Sequence, residues 1–293
     1  MVSGGGTAVA QFQNISSAGL RVSLLVRNAG FWKWGAVSMN LEICVDSVES
    51  AIAAERGGAQ RVELCTDLLE GGITPSAGLI ALVRQSIAIG LFVMIRPRGG
   101  DFCYTALEFE VMREEIRQAR RLGADGIVLG LLNEQGGVDV PRTRQLVELA
   151  APLPVTFHRA IDMTPSPSHA LVDVLATGAC RILTSGGAAN AKLGIREIAC
   201  MVETAKGRIA IMVASGITPD TITAIAEHTG ATEFHSSART EFNSPARFRK
   251  RGMAMGDIRD REYKRFIVRQ ESVRALATSL ELLSADRVDV QPG

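Results

Sequence analysis

The stretch "NLEICVDSVESAIAAERGGAQRVELCTDL" occupies residues 40–68. It opens on a short run rich in Leu, Ile and Val, the composition of a buried strand. A helical pattern, "VESAIAAERGGA", follows and ends in Gly58-Ala59. Glycine just past a helix supplies a left-handed cap. A second strand-like run, "RVELC", then begins. Strand, helix and strand in about 25 residues form a βαβ unit, whose two strands must lie parallel. Both strands carry Glu two residues before Cys: Glu42 with Cys44, and Glu63 with Cys65.

The same rhythm continues outward. Strand-like runs fall at 41–44, 61–65, 91–95, 126–129, 154–157, 181–183, 209–213 and 233–235. Helical patterns such as "LEFEVMREEIRQARRLGA" and "TRQLVELAAP" separate them. Gly123-Ala124 and Gly178-Ala179 repeat the helix stop, while Thr74-Pro75 and Thr218-Pro219 read as helix starts with a hydroxyl cap and Pro in the first turn. Eight such units predict an α/β fold, a (β/α)8 TIM barrel over residues 39–240. A doubly wound open sheet is the alternative, but no G-x-G-x-x-G follows the first strand. Residues 241–293 begin with the basic "ARFRKRG" and end in the amphipathic "VRALATSLELL". They predict an irregular C-terminal extension and then a helix packing on the barrel.

Residues 1–38 contain no Asp or Glu and are rich in Ser, Gly and Ala. They read as a disordered or targeting-like leader outside the fold. The whole chain of 293 residues carries 32 Lys+Arg against 31 Asp+Glu, so nothing in its balance calls for nucleic acid or a membrane surface. No apolar run reaches membrane-spanning length. Five cysteines without a C-x-x-C read as free thiols in a reducing compartment, and the expected location is cytoplasmic.

Side chains alternate between the faces of a strand. With Leu41, Ile43, Val62 and Leu64 turned to the helices, Glu42, Cys44, Glu63 and Cys65 point into the barrel. The same parity turns Met94, Arg96, Thr156, His158, Glu233 and His235 inward. Such an interior is polar where barrels are usually filled by branched apolar side chains. One reading is an internal salt-bridge network that only fixes the barrel; the other is a ligand site at the C-terminal ends of the strands. Glycine- and serine-rich loops follow the strands at 70–76, 96–104, 184–187, 214–218 and 235–239, and backbone N–H groups there can approach an anion. The residues singled out for ligand contact are Arg96, Arg98, Asp101, Arg159, Ser185, Gly216 and Arg239. Cys180 and Cys200 read as core, and His169 and His228 as surface.

"LEICVDSVESA", "GGAQRVELC", "EGGITPS", "IRPRGGDFCY", "VTFHRAIDM", "ILTSGG" and "ATEFHSSAR" together closely resemble the copper homeostasis protein CutC family, from about Met39 to about Leu283. The resemblance implies a (β/α)8 barrel, intracellular copper handling, copper(I) bound by a cysteine pair matching Cys44 and Cys65, and a homo-oligomer. One departure is Ala214-Ser215-Gly216, where the family has a Gly-rich run after the seventh strand. Soft thiolates suit copper(I), zinc or iron–sulfur clusters, and two of them suit copper(I) better than zinc. Cys103 is a candidate third sulfur, and a redox pair is a further reading of Cys44 and Cys65. The alternative function is an enzyme of lyase or proton-transfer type acting on a small anionic metabolite, phosphorylated or not. In that reading Glu42, Glu63, His158, Glu233 and His235 are candidate acids and bases, and Arg96, Arg98 and Arg159 hold the anion.

Overall fold

A computed structural model describes residues 39–250, 252–253, 255 and 261–288. The expected leader, 1–38, lies outside the described residues. Eight parallel strands close into a barrel in sequence order: β1 (Asn40–Val45), β2 (Arg61–Leu64), β3 (Gly90–Met94), β4 (Gly126–Leu129), β5 (Val155–Phe157), β6 (Arg181–Thr184), β7 (Ala210–Val213) and β8 (Glu233–Ser236). β8 pairs back onto β1 through Glu42 opposite His235. The outward residues Leu41, Ile43, Val62, Leu64, Leu91, Ile127, Leu129, Phe157 and Phe234 are fully buried beneath the helices.

The helices are α1 (Val48–Gly57), α2 (Ala77–Ser86), α3 (Ala106–Arg121), α4 (Val140–Ala150), α5 (Pro167–Thr177), α6 (Ile195–Ala205) and α7 (Pro219–Thr229). Their ends follow local chemistry. Ser47 caps α1 by accepting from Ser50 N, and Gly58 closes it at φ +100°. Thr105 and Glu108 form a capping box on α3. The expected start at Thr74 is displaced: Ser76 caps α2 instead. The Thr74 hydroxyl is committed elsewhere, donating to Glu115 Oε2 at 2.8 Å and accepting from Arg96 N at 2.9 Å.

The C-terminal helix α8 (Gln270–Val288) packs on both α1 and α7, and so occupies the eighth place in the outer ring. Its buried stripe is Val273, Leu276, Ala277, Leu280 and Leu283, at helical spacing. A Cβ at Gly57 would lie 2.4 Å from Val273 Cβ, so the close approach of α1 and α8 requires glycine there. Between β8 and α8 the expected irregular segment contains a two-stranded antiparallel sheet, β9 (Arg239–Asn243) and β10 (Lys264–Val268). Its charged, largely exposed residues hide the alternation that marks a half-buried strand.

Two expectations about cysteines are corrected. Cys180 and Cys200 are exposed rather than core. On α6 the buried face is Ile198, Met201 and Ala205, which leaves Cys200 turned to solvent. Cys180 lies before β6, with its thiol donating to Val155 O at 3.4 Å. His169 and His228 are exposed, as expected.

Candidate metal centre

β1, β2 and β8 bring the E-x-C residues together. Cys44 sits opposite Glu63 in the β1–β2 register, and Cys65 N bonds Val45 O. The two sulfurs lie 3.4 Å apart, in contact but far beyond the roughly 2.05 Å of a disulfide. Both cysteines are buried among Phe92, Met94, Val128 and Leu68. The turn after β2 folds over them: Gly72 has φ +95°, and a Cβ there would lie 3.2 Å from Cys65 Sγ. The hydrogen bond shared with Cys65, burial and the nearby Glu63 carboxyl together push the Cys44 thiol well above its ordinary value. Cys44 is therefore a protonated thiol at rest.

Deeper in the barrel lies an ion network. Arg61 Nε donates to Glu42 Oε2 at 2.6 Å, and Arg61 Nη2 donates to Glu233 Oε2. Arg181 Nε also reaches Glu233 Oε2, at 2.5 Å. His235 Nδ1 bonds Glu42 Oε1 at 2.7 Å, while its Nε2 stands 3.8 Å from Glu63 Oε2. Burial opposes charge on His235, but Glu63, Cys44 and Glu42 raise it well above the usual range, so it is an imidazolium. Burial likewise works against the Glu42 carboxylate, yet Arg61 and His235 hold it down to about 2. Burial wins at Glu63, whose carboxyl is pushed up despite His235. Its Oε1 has no hydrogen-bond partner among the described residues.

Two sets of donor atoms lie within 4.8 Å of one another: Cys44, Glu63 and Cys65, and Glu42, Glu63 and His235. The second set is occupied by its own counter-charges, Arg61 and the imidazolium. The first offers two soft sulfurs with an unpartnered oxygen beside them. The Cys103 thiol lies outside both sets, donating to Asn133 O at 3.2 Å.

The mouth residues separate into local groups. Arg98 pairs with Asp101 at 3.0 Å and with Glu108 at 2.6 Å, so it ties its own loop to α3. Arg159 pairs with Asp162 at 2.8 Å and donates to Ser185 Oγ at 2.8 Å. Asp162 also accepts from Ser185 N and Gly187 N, each at 3.0 Å, and from Thr184 Oγ1 at 2.6 Å. The anion cradled by the "TSGG" loop is thus a carboxylate of the chain itself. Gly216 (φ +76°) lies against Asn190, and Arg239 stacks on Phe266 of β10. Arg96 and His158 are buried together under the loop between β3 and α3.

Sequence reasoning passed over Arg61, Arg181 and Asp162. The first was legible: Arg61 has the same parity as Glu63 and must also point inward. Arg181 begins the sixth strand-like run, with Leu183 on its face. Asp162 carried no comparable signal, because it lies in a 3-10 turn (Arg159–Met163) whose contacts are long-range.

The sequence pattern of the CutC family matches residues 39–240. The chain belongs to the CutC family. A CutC-family protein of Chromobacterium violaceum is 49% identical over 241 residues, which cover 82% of this chain and 98% of that protein. The human copper homeostasis protein cutC homolog is 52% identical over 216 residues, covering 74% of this chain and 79% of the relative. The crystal structure of CutC from Streptococcus agalactiae matches with a TM-score of 0.65 and 34% identity, over 68% of this chain and 98% of that one. This CutC chain is therefore a copper homeostasis family member built on a closed barrel, and among its described residues no helix is long and apolar enough to cross a membrane.

Proposed function

We propose that this CutC chain handles copper as copper(I), taken between Cys44 and Cys65 at the C-terminal mouth of the barrel. The observation that carries this reading is the pair of buried free sulfurs 3.4 Å apart, supplied by neighbouring strands. Two soft donors in an apolar setting suit an ion that accepts low coordination. Zinc usually takes four ligands, and the pair has only one further donor beside it, Glu63, since Glu42 is committed to Arg61 and the His235 imidazolium. An iron–sulfur cluster would need four cysteines, and Cys103 is turned away.

The residues around the pair divide the work. Phe92, Met94, Val128 and Leu68 exclude water and so protect the thiols from oxidation by dissolved species. The Gly72 turn covers Cys65 and has to open for an ion to enter. Entry of copper(I) displaces the Cys44 proton, since metal ligation requires the thiolate. The imidazolium of His235 beside Cys44 then faces the negative charge of a bis-thiolate ion. Free thiols of this kind persist in a reducing compartment, which supports a cytoplasmic place of work in this reading.

Titration of the reduced full chain with copper(I) against a competing chelator tests the proposal. One ion per chain should bind, and Cys44→Ser combined with Cys65→Ser should lose it. Unchanged affinity in the double variant would refute the assignment.

A further inference from the structure

Arg96 is buried, at 5% exposure, and takes part in no ion pair among the described residues. Its guanidinium meets only neutral groups: Nη1 donates to Glu70 O at 2.5 Å and Gly72 O at 3.0 Å, Nη2 donates to Gly100 O at 2.9 Å, and the Tyr104 phenol oxygen lies against it as an acceptor, which leaves the phenol O–H free to donate. Its Nε has no partner. A buried cation without a counter-ion is costly, and chains rarely keep one without a use.

Two more unpartnered polar atoms lie beside it. Tyr104 Oη and His158 Nε2 are both buried without a hydrogen-bond partner among the described residues, and each residue is only 4% exposed. The three residues come from one side of the barrel mouth: Arg96 follows β3, Tyr104 closes the loop to α3, and His158 follows β5. The Phe102 ring joins them, 5.0 Å from Arg96 Cζ and 5.0 Å from the His158 ring. The Tyr104 phenol faces the same guanidinium. Gly130 makes room for the imidazole, because a Cβ there would lie 2.5 Å from His158 Nδ1.

The protonation of the group is set by its contacts. Burial and Arg96 push His158 down to about 3, so the ring is neutral. Its Nδ1 accepts from Ala160 N at 3.2 Å, which places the single ring proton on Nε2. Burial pushes the Tyr104 phenol up to about 12, so it keeps its proton. Arg96 Nε–H, Tyr104 Oη–H and His158 Nε2–H are therefore three unused donors carrying one net positive charge.

We infer that Arg96, Tyr104 and His158 form a binding site for the carboxylate of a small monoanionic metabolite, separate from the Cys44–Cys65 pair. A carboxylate offers about four lone-pair positions, enough to accept all three donors. Its single charge matches that of Arg96, whereas a phosphate dianion would leave a buried charge uncompensated. A water could accept the hydrogen bonds but would leave the guanidinium without its counter-charge. Phe102, half-buried, lies against both Arg96 and His158 and so borders the site. A neutral imidazole donating from Nε2 next to a cation is also equipped to polarise a carbonyl adjoining such a carboxylate.

The test is NMR of the full chain labelled with 15N-histidine, at neutral pH and matched ionic strength. Acetate, pyruvate and inorganic phosphate are the probes, with chloride as the control. The His158 Nε2–H resonance should shift saturably with acetate or pyruvate and not with phosphate. Tyr104→Phe, which keeps the ring, should weaken carboxylate binding about tenfold or more, the effect of losing one hydrogen bond to a charged group. Copper(I) binding by the same variant should be unchanged, so this proposal and the copper reading stand or fall separately. No saturable shift with either carboxylate, an equal response to phosphate, or undiminished binding in Tyr104→Phe would overturn the proposal. If Tyr104→Phe does not fold, Arg96→Lys takes its place: it keeps the charge, removes the Nε–H at that position, and should weaken binding likewise.

Discussion

At the scale of single residues, the barrel interior shows why charge parity matters. Arg61 bridges Glu42 and Glu233, and its removal leaves two buried carboxylates with diminished compensation. Arg61→Met should cost about 3–5 kcal/mol in urea denaturation. Adding Glu42→Gln should recover part of that loss, and a purely additive double variant would contradict the network. His158 sets a pH dependence. Its folded value of about 3 lies below the ordinary 6.5, so on acidification the unfolded chain gains a proton that the folded chain refuses. Its share of stability is complete above about 6.5, falls toward about 3 at up to ~1.4 kcal/mol per pH unit, and is flat below. Comparing the stability of wild type and His158→Asn across that range isolates this slope, and parallel curves would show the ring to be charged in the fold. At this scale the inward Glu and Cys positions were legible from alternation alone. The partners were legible only where they shared it: Arg61 obeys the same parity, while Asp162, bonding the 184–187 loop from a distant turn, could not be found without the fold.

At the scale of elements, all eight barrel strands and the Gly-Ala helix stops were readable, because each is fixed by a local pattern of apolar residues and caps. Where local chemistry had two candidates, the reading slipped: Thr74 and Ser76 both offer a hydroxyl, and tertiary bonds to Glu115 and Arg96 decided between them. The β9–β10 pair was invisible because its strands are charged and mostly exposed, so no hydrophobic alternation marks them. The terminal helix α8 was legible as amphipathic, but its seat between α1 and α7 was not. That seat depends on one close approach. Gly57→Ala places a methyl 2.4 Å from Val273 Cβ and should destabilise the chain by about 1–3 kcal/mol. Val273→Gly removes that Cβ, so Gly57→Ala should cost less in a Val273→Gly chain than in the wild type, and an undiminished cost would show that α8 is held by other contacts.

At the scale of the molecule, a closed barrel sets two kinds of chemistry side by side at one mouth, meeting where Arg96 Nη1 donates to Gly72 O of the turn over Cys65. β1 and β2 present paired thiols above an ion network that neutralises itself. The ends of β3 and β5 and the loop to α3 present three unused donors, one each from the Arg96 cation, Tyr104 and His158. The first arrangement follows from an E-x-C repeat on neighbouring strands, and the second from residues 96, 104 and 158, which only barrel closure brings together. The central claim concerns the thiols, and X-ray absorption at the copper edge of the copper(I)-loaded full chain tests it most directly. A first shell of sulfur, lost in the Cys44→Ser/Cys65→Ser variant, is the predicted result; a shell of nitrogen or oxygen, or a spectrum unaltered by the two substitutions, would contradict it.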